Sequence, residues 1–203
     1  DELYGPFRQF AFDVTDIIKE NNCLAVKIYR WQKGEFNIGF VDWNPRPADE
    51  SMGIFRPVWL RYSNEVSLKN PVVRTQVDTA ELDEAWVTVE TQLCNSSDKA
   101  VKGKLCGKFD GKSFSMPVEL AAGETKTVTI TPDDKKALHV KNPRLWWCHN
   151  LGTPEMYSME LSFVADGKVS DSQTIDFGIR QIDSYLTDEN YRGFILNGKK
   201  VLI

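Results

Sequence analysis

From about residue 72 to residue 184 the chain alternates polar and apolar side chains with a period of two, and short turn signals recur between the alternating runs. In Trp86-Val-Thr-Val-Glu-Thr-Gln-Leu93, the residues Val87, Val89, Thr91 and Leu93 share one face. Trp86, Thr88, Glu90 and Gln92 share the other. In Thr125–Thr131, Lys126, Val128 and Ile130 oppose the threonines. In Tyr157–Phe163 the apolar face is Tyr157, Met159, Leu161 and Phe163. Alternation with one apolar face marks antiparallel sheet covered on one side. Asp110-Gly111 and Asp166-Gly167 sit between such runs and predict tight hairpins. Seven candidate strands with regular turn cues predict an all-β, immunoglobulin-like sandwich. Helical periodicity is confined to two single turns, one over Asp16–Asn21 capped by Thr15 or Asp16, the other over Asp133–His139.

Residues 1–70 read differently. Phe10–Val14, Leu24–Tyr29 and Ile54–Tyr62 are strand-like, but Trp31–Gly53 between them is long and irregular. About 20 residues without regular structure usually form a functional loop. Three strands do not easily close a sandwich. The segment therefore reads as the back half of a β domain. The first residue is Asp and not Met, and the chain stops on the apolar triplet Val201-Leu202-Ile203. We accordingly expect a piece of a longer protein. Asn197-Gly198, between Gly193–Leu196 and Lys199–Ile203, predicts a final hairpin with a type I′ turn.

Charge narrows the functions. Lys and Arg number 25 against 29 Asp and Glu, a net charge of −4, which leaves no basic excess for nucleic acid. No apolar run approaches the roughly 20 residues of a membrane helix, and the start carries no signal-peptide pattern. The four cysteines, Cys23, Cys94, Cys106 and Cys148, show no metal-binding spacing with His139 or His149. No metal site and no cofactor are expected. Cys94 and Cys106 could face each other across strands, but free and mostly buried thiols are the simpler reading. Asn95-Ser96-Ser97 matches a glycosylation acceptor and reads better as a plain loop.

The long loop carries the chemistry. Asp42, Asp49 and Glu50 accompany Trp43, Asn44 and Arg46. An indole beside carboxylates and amides suits a sugar, whose apolar ring face stacks while its hydroxyls hydrogen-bond. The other reading is a self-packed loop in which Trp43 is core and Asp42 caps a turn. Composition alone favours that second reading. Paired carboxylates would also suit glycoside hydrolysis, but one Pro-rich loop gives no separation for a catalytic pair.

Particular motifs resemble a known family. Phe12-Asp-Val-Thr-Asp-Ile-Ile18 with Asn22-Cys-Leu-Ala-Val-Lys-Ile28 resembles the end of the sugar-binding jelly-roll (galactose-binding-like) domain of family 2 glycoside hydrolases. Gly53-Ile-Phe-Arg-Pro-Val-Trp-Leu60 resembles its closing strand. Pro143-Arg-Leu-Trp-Trp147, Gly152–Tyr157 and Phe177-Gly-Ile-Arg-Gln-Ile182 resemble the family's immunoglobulin-like second domain. Gly193–Val201 resembles the hairpin that enters the catalytic (β/α)8 barrel. The motifs follow family order across the whole chain. They imply three parts: 1–70, the C-terminal part of a jelly roll; 71–184, the sandwich; 185–203, the barrel-entry hairpin.

Val41-Asp-Trp-Asn-Pro45 and Ser51–Arg56 look most like the exo-β-D-glucosaminidase and β-mannosidase branch. The resemblance implies that Asp42 and Trp43, with Asn44, shape a terminal-sugar subsite. Asn44 stands where the mannosidase version has Gly, which favours the glucosaminidase, and an amino sugar suits an acidic loop. It also implies that Arg56, Trp146 and Trp147 are structural. The family's two catalytic glutamates lie on barrel strands, so none is expected here, and Glu35, Glu50, Glu155 and Glu189 match no catalytic motif. The implied partners are a β-linked oligosaccharide and the protein's own barrel, in a secreted or periplasmic parent. A strand-exchanged homodimer is a further expectation, because unpaired edges invite it. A β-mannosidase fragment and a stand-alone carbohydrate-binding or adhesion module are the rival readings.

Overall fold

A computed structural model describes all residues except 1, 6, 33, 36–42, 44, 46, 50, 51 and 203. The chain divides into two compact units, Asp1–Leu60 and Arg61–Ile203.

The second unit is built of antiparallel sheets. Its strands are β1 (Val66–Val77), β2 (Glu84–Asn95), β3 (Val101–Phe109), β4 (Lys112–Leu120), β5 (Thr125–Ile130), β6 (His139–Lys141), β7 (Tyr157–Ala165) and β8 (Lys168–Phe177). Then follow β9 (Ile182–Leu186), β10 (Arg192–Leu196) and β11 (Lys199–Val201). One four-stranded sheet runs β1-β2-β5, with β6 also paired to β2; the other runs β4-β3-β7-β8. The expected immunoglobulin-like sandwich is present, with a strand more than the seven read from the sequence. The addition is β6, whose three residues are too few to show a period.

The alternation reads directly into burial. Along β2, Ala85, Val87, Val89, Thr91, Leu93 and Asn95 are buried and every residue between them is half-buried. Tyr157, Met159, Leu161 and Phe163 of β7 enter the same core from the facing sheet. Phe109, Tyr157 and Phe177 meet there with ring centroids 5.6–6.3 Å apart, within the range favoured by aromatic pairs. Gly103 and Gly107 of β3 make room for rings. A Cβ on Gly107 would lie 2.0 Å from the Phe114 Cζ, and one on Gly103 2.5 Å from the Phe163 Cζ. Asp110-Gly111, Asp166-Gly167 and Asn197-Gly198 all have positive φ at both positions, as type I′ turns require.

The open side of β1 is sealed by side chains of β8. The Val66 N–H donates to the Ser170 hydroxyl at 2.9 Å. The Leu68 N–H donates to Asp171 Oδ2 at 2.7 Å, and the Gln173 amide donates to the Leu68 carbonyl. Backbone groups that would template another chain are thus satisfied. Pro71 falls at a bulge in β1, between Lys69 and Val72, where its missing N–H costs no ladder bond.

Several expectations need correction. Near the two expected divisions, β1 starts at Val66 and β9 spans Ile182–Leu186. The final hairpin is part of a three-stranded sheet ordered β11-β10-β9. In the first unit no strand is formed among the described residues. Phe10–Val14, Leu24–Tyr29 and Ile54–Leu60 run without ladder partners, and Phe12, Leu24, Ile28, Phe55 and Trp59 are exposed. Strand propensity alone does not make a strand, because its hydrogen bonds must come from a neighbour. The helical turn near Asp16 is capped by Asp13, which accepts from the Thr15 N–H and hydroxyl, not by Thr15 or Asp16. The second turn is a short 3-10 helix, Lys136–Leu138. All four cysteines are free, with Cys23 exposed and the other three half-buried, not buried. Cys94 and Cys106 belong to different sheets, on β2 and β3.

Candidate functional site

The loop expected to carry the chemistry lies in the first unit. Its base is pinned by Glu35. The Gln32 N–H donates to Glu35 Oε2 at 2.5 Å, and the Glu35 N–H donates back to the Gln32 carbonyl at 3.0 Å. The Tyr4 hydroxyl donates to Glu35 Oε1 at 2.9 Å, so the N-terminal segment is tied to the start of the loop. These bonds favour the carboxylate. The Gln32 amide, aided by the Tyr4 hydroxyl, holds the Glu35 carboxyl below its ordinary range. The same bond to Glu35 raises the Tyr4 phenol. At the far end the Met52 N–H donates to the Asp49 carbonyl at 3.1 Å, and Gly53 follows with φ 127°, a conformation that suits glycine.

Between these anchors Trp43 sits in a turn with 82% of its surface exposed. Its indole is presented to solvent and not packed as core. Asp42 and Asn44, its expected companions at a sugar subsite, lie outside the described residues, as do Arg46 and Glu50. Glu35, which matched no motif, is an anchor of the loop. No pattern of residue types announces that role, because Tyr4 is 31 positions away.

Elsewhere the candidate groups contact neighbouring side chains or stand in solvent. Glu155 pairs with Arg144 at 3.0 Å, and the Arg144 guanidinium also lies 4.5 Å from the Tyr157 ring centroid. Glu189 is exposed in the turn before β10. The Arg56 guanidinium lies over the Phe55 ring. Trp146 carries the Arg180 guanidinium at 4.3 Å from its ring, and Trp147 carries the Lys199 ammonium at 4.8 Å. The two indoles brace the sandwich against the chain around β9–β11. Asn95 is buried, and its amide nitrogen donates to the Lys99 and Ala121 carbonyls while its oxygen accepts from Ser97. It is a loop linchpin and offers no free amide for a glycan. Among the described residues no group of three or more His, Cys, Asp or Glu side chains is placed to hold a metal.

Comparison with known proteins follows the same lines. Residues 66–180 match the family described as glycosyl hydrolases family 2. All of the chain aligns at 35% identity with an exo-beta-D-glucosaminidase of Streptomyces avermitilis and at 32% with one of Amycolatopsis orientalis. It spans only 23% and 19% of their lengths. The crystal structure of an exo-chitosanase from Amycolatopsis orientalis superposes with a TM-score of 0.73 at 34% identity, covering 82% of this chain and 19% of that one. The match over the sandwich is the match that identifies the chain: it belongs to family 2 of the glycosyl hydrolases.

Proposed function

We propose that the chain is a non-catalytic part of a retaining exo-β-D-glucosaminidase, acting on terminal β-linked glucosamine. The observation that carries this reading is the alignment of all its residues with exo-beta-D-glucosaminidases. Retaining hydrolysis needs two carboxyl groups roughly 5 Å apart, one as nucleophile and one as acid and then base. In this reading both come from the parent's barrel. The sandwich serves to hold the first domain and that barrel in register. Trp43 supplies an exposed apolar platform for the terminal sugar, and Asp42 and Asn44 hydrogen-bond its polar groups, the carboxylate also facing the ammonium of an amino sugar. A polymeric substrate is met outside the cytoplasm, so a secreted or periplasmic parent belongs to the same reading.

Two assays test it. The chain incubated with a chromogenic β-glucosaminide is expected to give no turnover above buffer; turnover would overturn its non-catalytic role. In the full-length parent, Trp43→Ala is expected to lower kcat/KM on glucosamine oligomers by roughly threefold to tenfold, the range for loss of one aromatic contact. Unchanged kcat/KM would remove Trp43 from the subsite. Preference of the parent for a β-mannoside would reassign the sugar.

A further inference from the structure

Asn197 is a hairpin-turn residue, yet only 1% of its surface is exposed. The other two type I′ turns place Asp110 and Asp166 in solvent. Asn197 instead directs three hydrogen-bonding groups to other elements. Its Nδ2 donates to the Trp146 carbonyl, between β6 and β7, at 3.1 Å. Its Oδ1 accepts from the Gln181 N–H, between β8 and β9, at 2.8 Å. Its own N–H donates to the Gln181 carbonyl at 2.9 Å. Gln181 extends the chain of bonds, since its Oε1 accepts from the Val77 N–H at the end of β1, at 3.0 Å. The following Gly198 is pressed on the loop after β1, where a Cβ would lie 2.9 Å from the Thr79 carbonyl oxygen.

We propose that Asn197 is a latch that makes the β9–β10–β11 sheet and the sandwich open as a single unit. A three-stranded sheet stands alone only with a hydrophobic face to bury, and along β9, β10 and β11 Leu196 is the one buried residue. A satisfied buried polar network fixes one arrangement, and the same network half-broken is costly, so it resists partial opening.

Native-state hydrogen exchange of the whole chain tests the latch. In the wild type, amides of β10 are expected to exchange through the same opening as those of β3 and β7, both sets converging as denaturant is added. Asn197→Gly keeps the left-handed turn and removes the side-chain bonds. It is expected to speed exchange in β9–β11 at least tenfold more than in β3 and β7. Asp166→Gly, the same exchange in an exposed turn, is expected to leave the two sets together. A separate, faster opening of β10 in the wild type would overturn the proposal. So would equal shifts of both sets in Asn197→Gly, no shift of either, or separation of the sets in Asp166→Gly. If Asn197→Gly fails to fold, the wild-type comparison alone decides.

Discussion

Asp171 and Glu90 are both carboxylates on strands, and their surroundings give them opposite weights. Asp171 has 6% of its side chain exposed, accepts the Leu68 N–H, and lies 3.4 Å from the Arg61 guanidinium. Glu90 makes a two-point pair with Arg74, at 3.2 and 3.3 Å, on the solvent side of the first sheet, where screening holds even a well-aligned pair to about 1 kcal/mol or less. Asp171→Ala strands the buried Leu68 N–H and is expected to cost about 1–3 kcal/mol. Glu90→Ala is expected to cost no more than about 1 kcal/mol. Urea unfolding of the two variants checks the contrast, and equal midpoints would contradict it. The Tyr4–Glu35 pair makes a separate prediction about pH. Glu35 titrates below its ordinary 4.5, so its contribution is present above that value and is lost as pH falls through the lowered one. Tyr4 titrates above 10.0, so its hydroxyl bond persists below that value and is lost as pH rises through the raised one. In an ultraviolet titration, Tyr4→Phe should delete a phenol component from above pH 10.

Among the elements, β3 shows how a strand with two inward glycines still builds a core. Phe114, opposite Gly107 on β4, and Phe163, on β7 beside Gly103, fill the space that the two glycines leave. Gly107→Ala is expected to destabilise the sandwich by about 1–3 kcal/mol through overpacking against Phe114. Gly111→Ala, in the adjoining turn, meets no atom within 4 Å, and its φ of 71° is the whole of its penalty, about 1 kcal/mol. Thermal unfolding together with near-ultraviolet circular dichroism separates them, because only the first disturbs an aromatic ring. The alternation in β2, β5 and β7 and the three Asn-Gly or Asp-Gly turns were legible in the sequence, since both depend on neighbours one or two positions apart. β6 and the outer sheet's third strand, β9, were not legible. Their length and limits are set by partners far along the chain, as in the pairing of Trp86 with His139.

For the whole molecule, the division of buried surface is the governing fact. Every buried residue among those described falls between Val66 and Asn197. The first unit meanwhile exposes Phe12, Leu24, Phe55, Trp59 and other large apolar side chains. Apolar surface of that kind favours association. The chain is therefore expected to bind a hydrophobic dye and to self-associate with rising concentration. Residues 61–203 alone, which carry their own core, are expected to bind little dye and stay monomeric. Limited proteolysis should cut within residues 1–60 and leave the sandwich intact. A clean monomer of the full chain at high concentration would count against strand exchange.

The sequence by itself determined the sandwich, its turn types and its family, because period-two patterning and positive-φ turn residues act through local sterics and through which face is apolar. Tertiary structure alone decided the positions where a side chain serves a distant backbone. Asp171 seals the edge of β1, Glu35 takes the Tyr4 hydroxyl, and Asn197 fastens the last hairpin to Trp146 and Gln181. A buried polar group is defined by its partners, and its partners are defined only once the chain has folded.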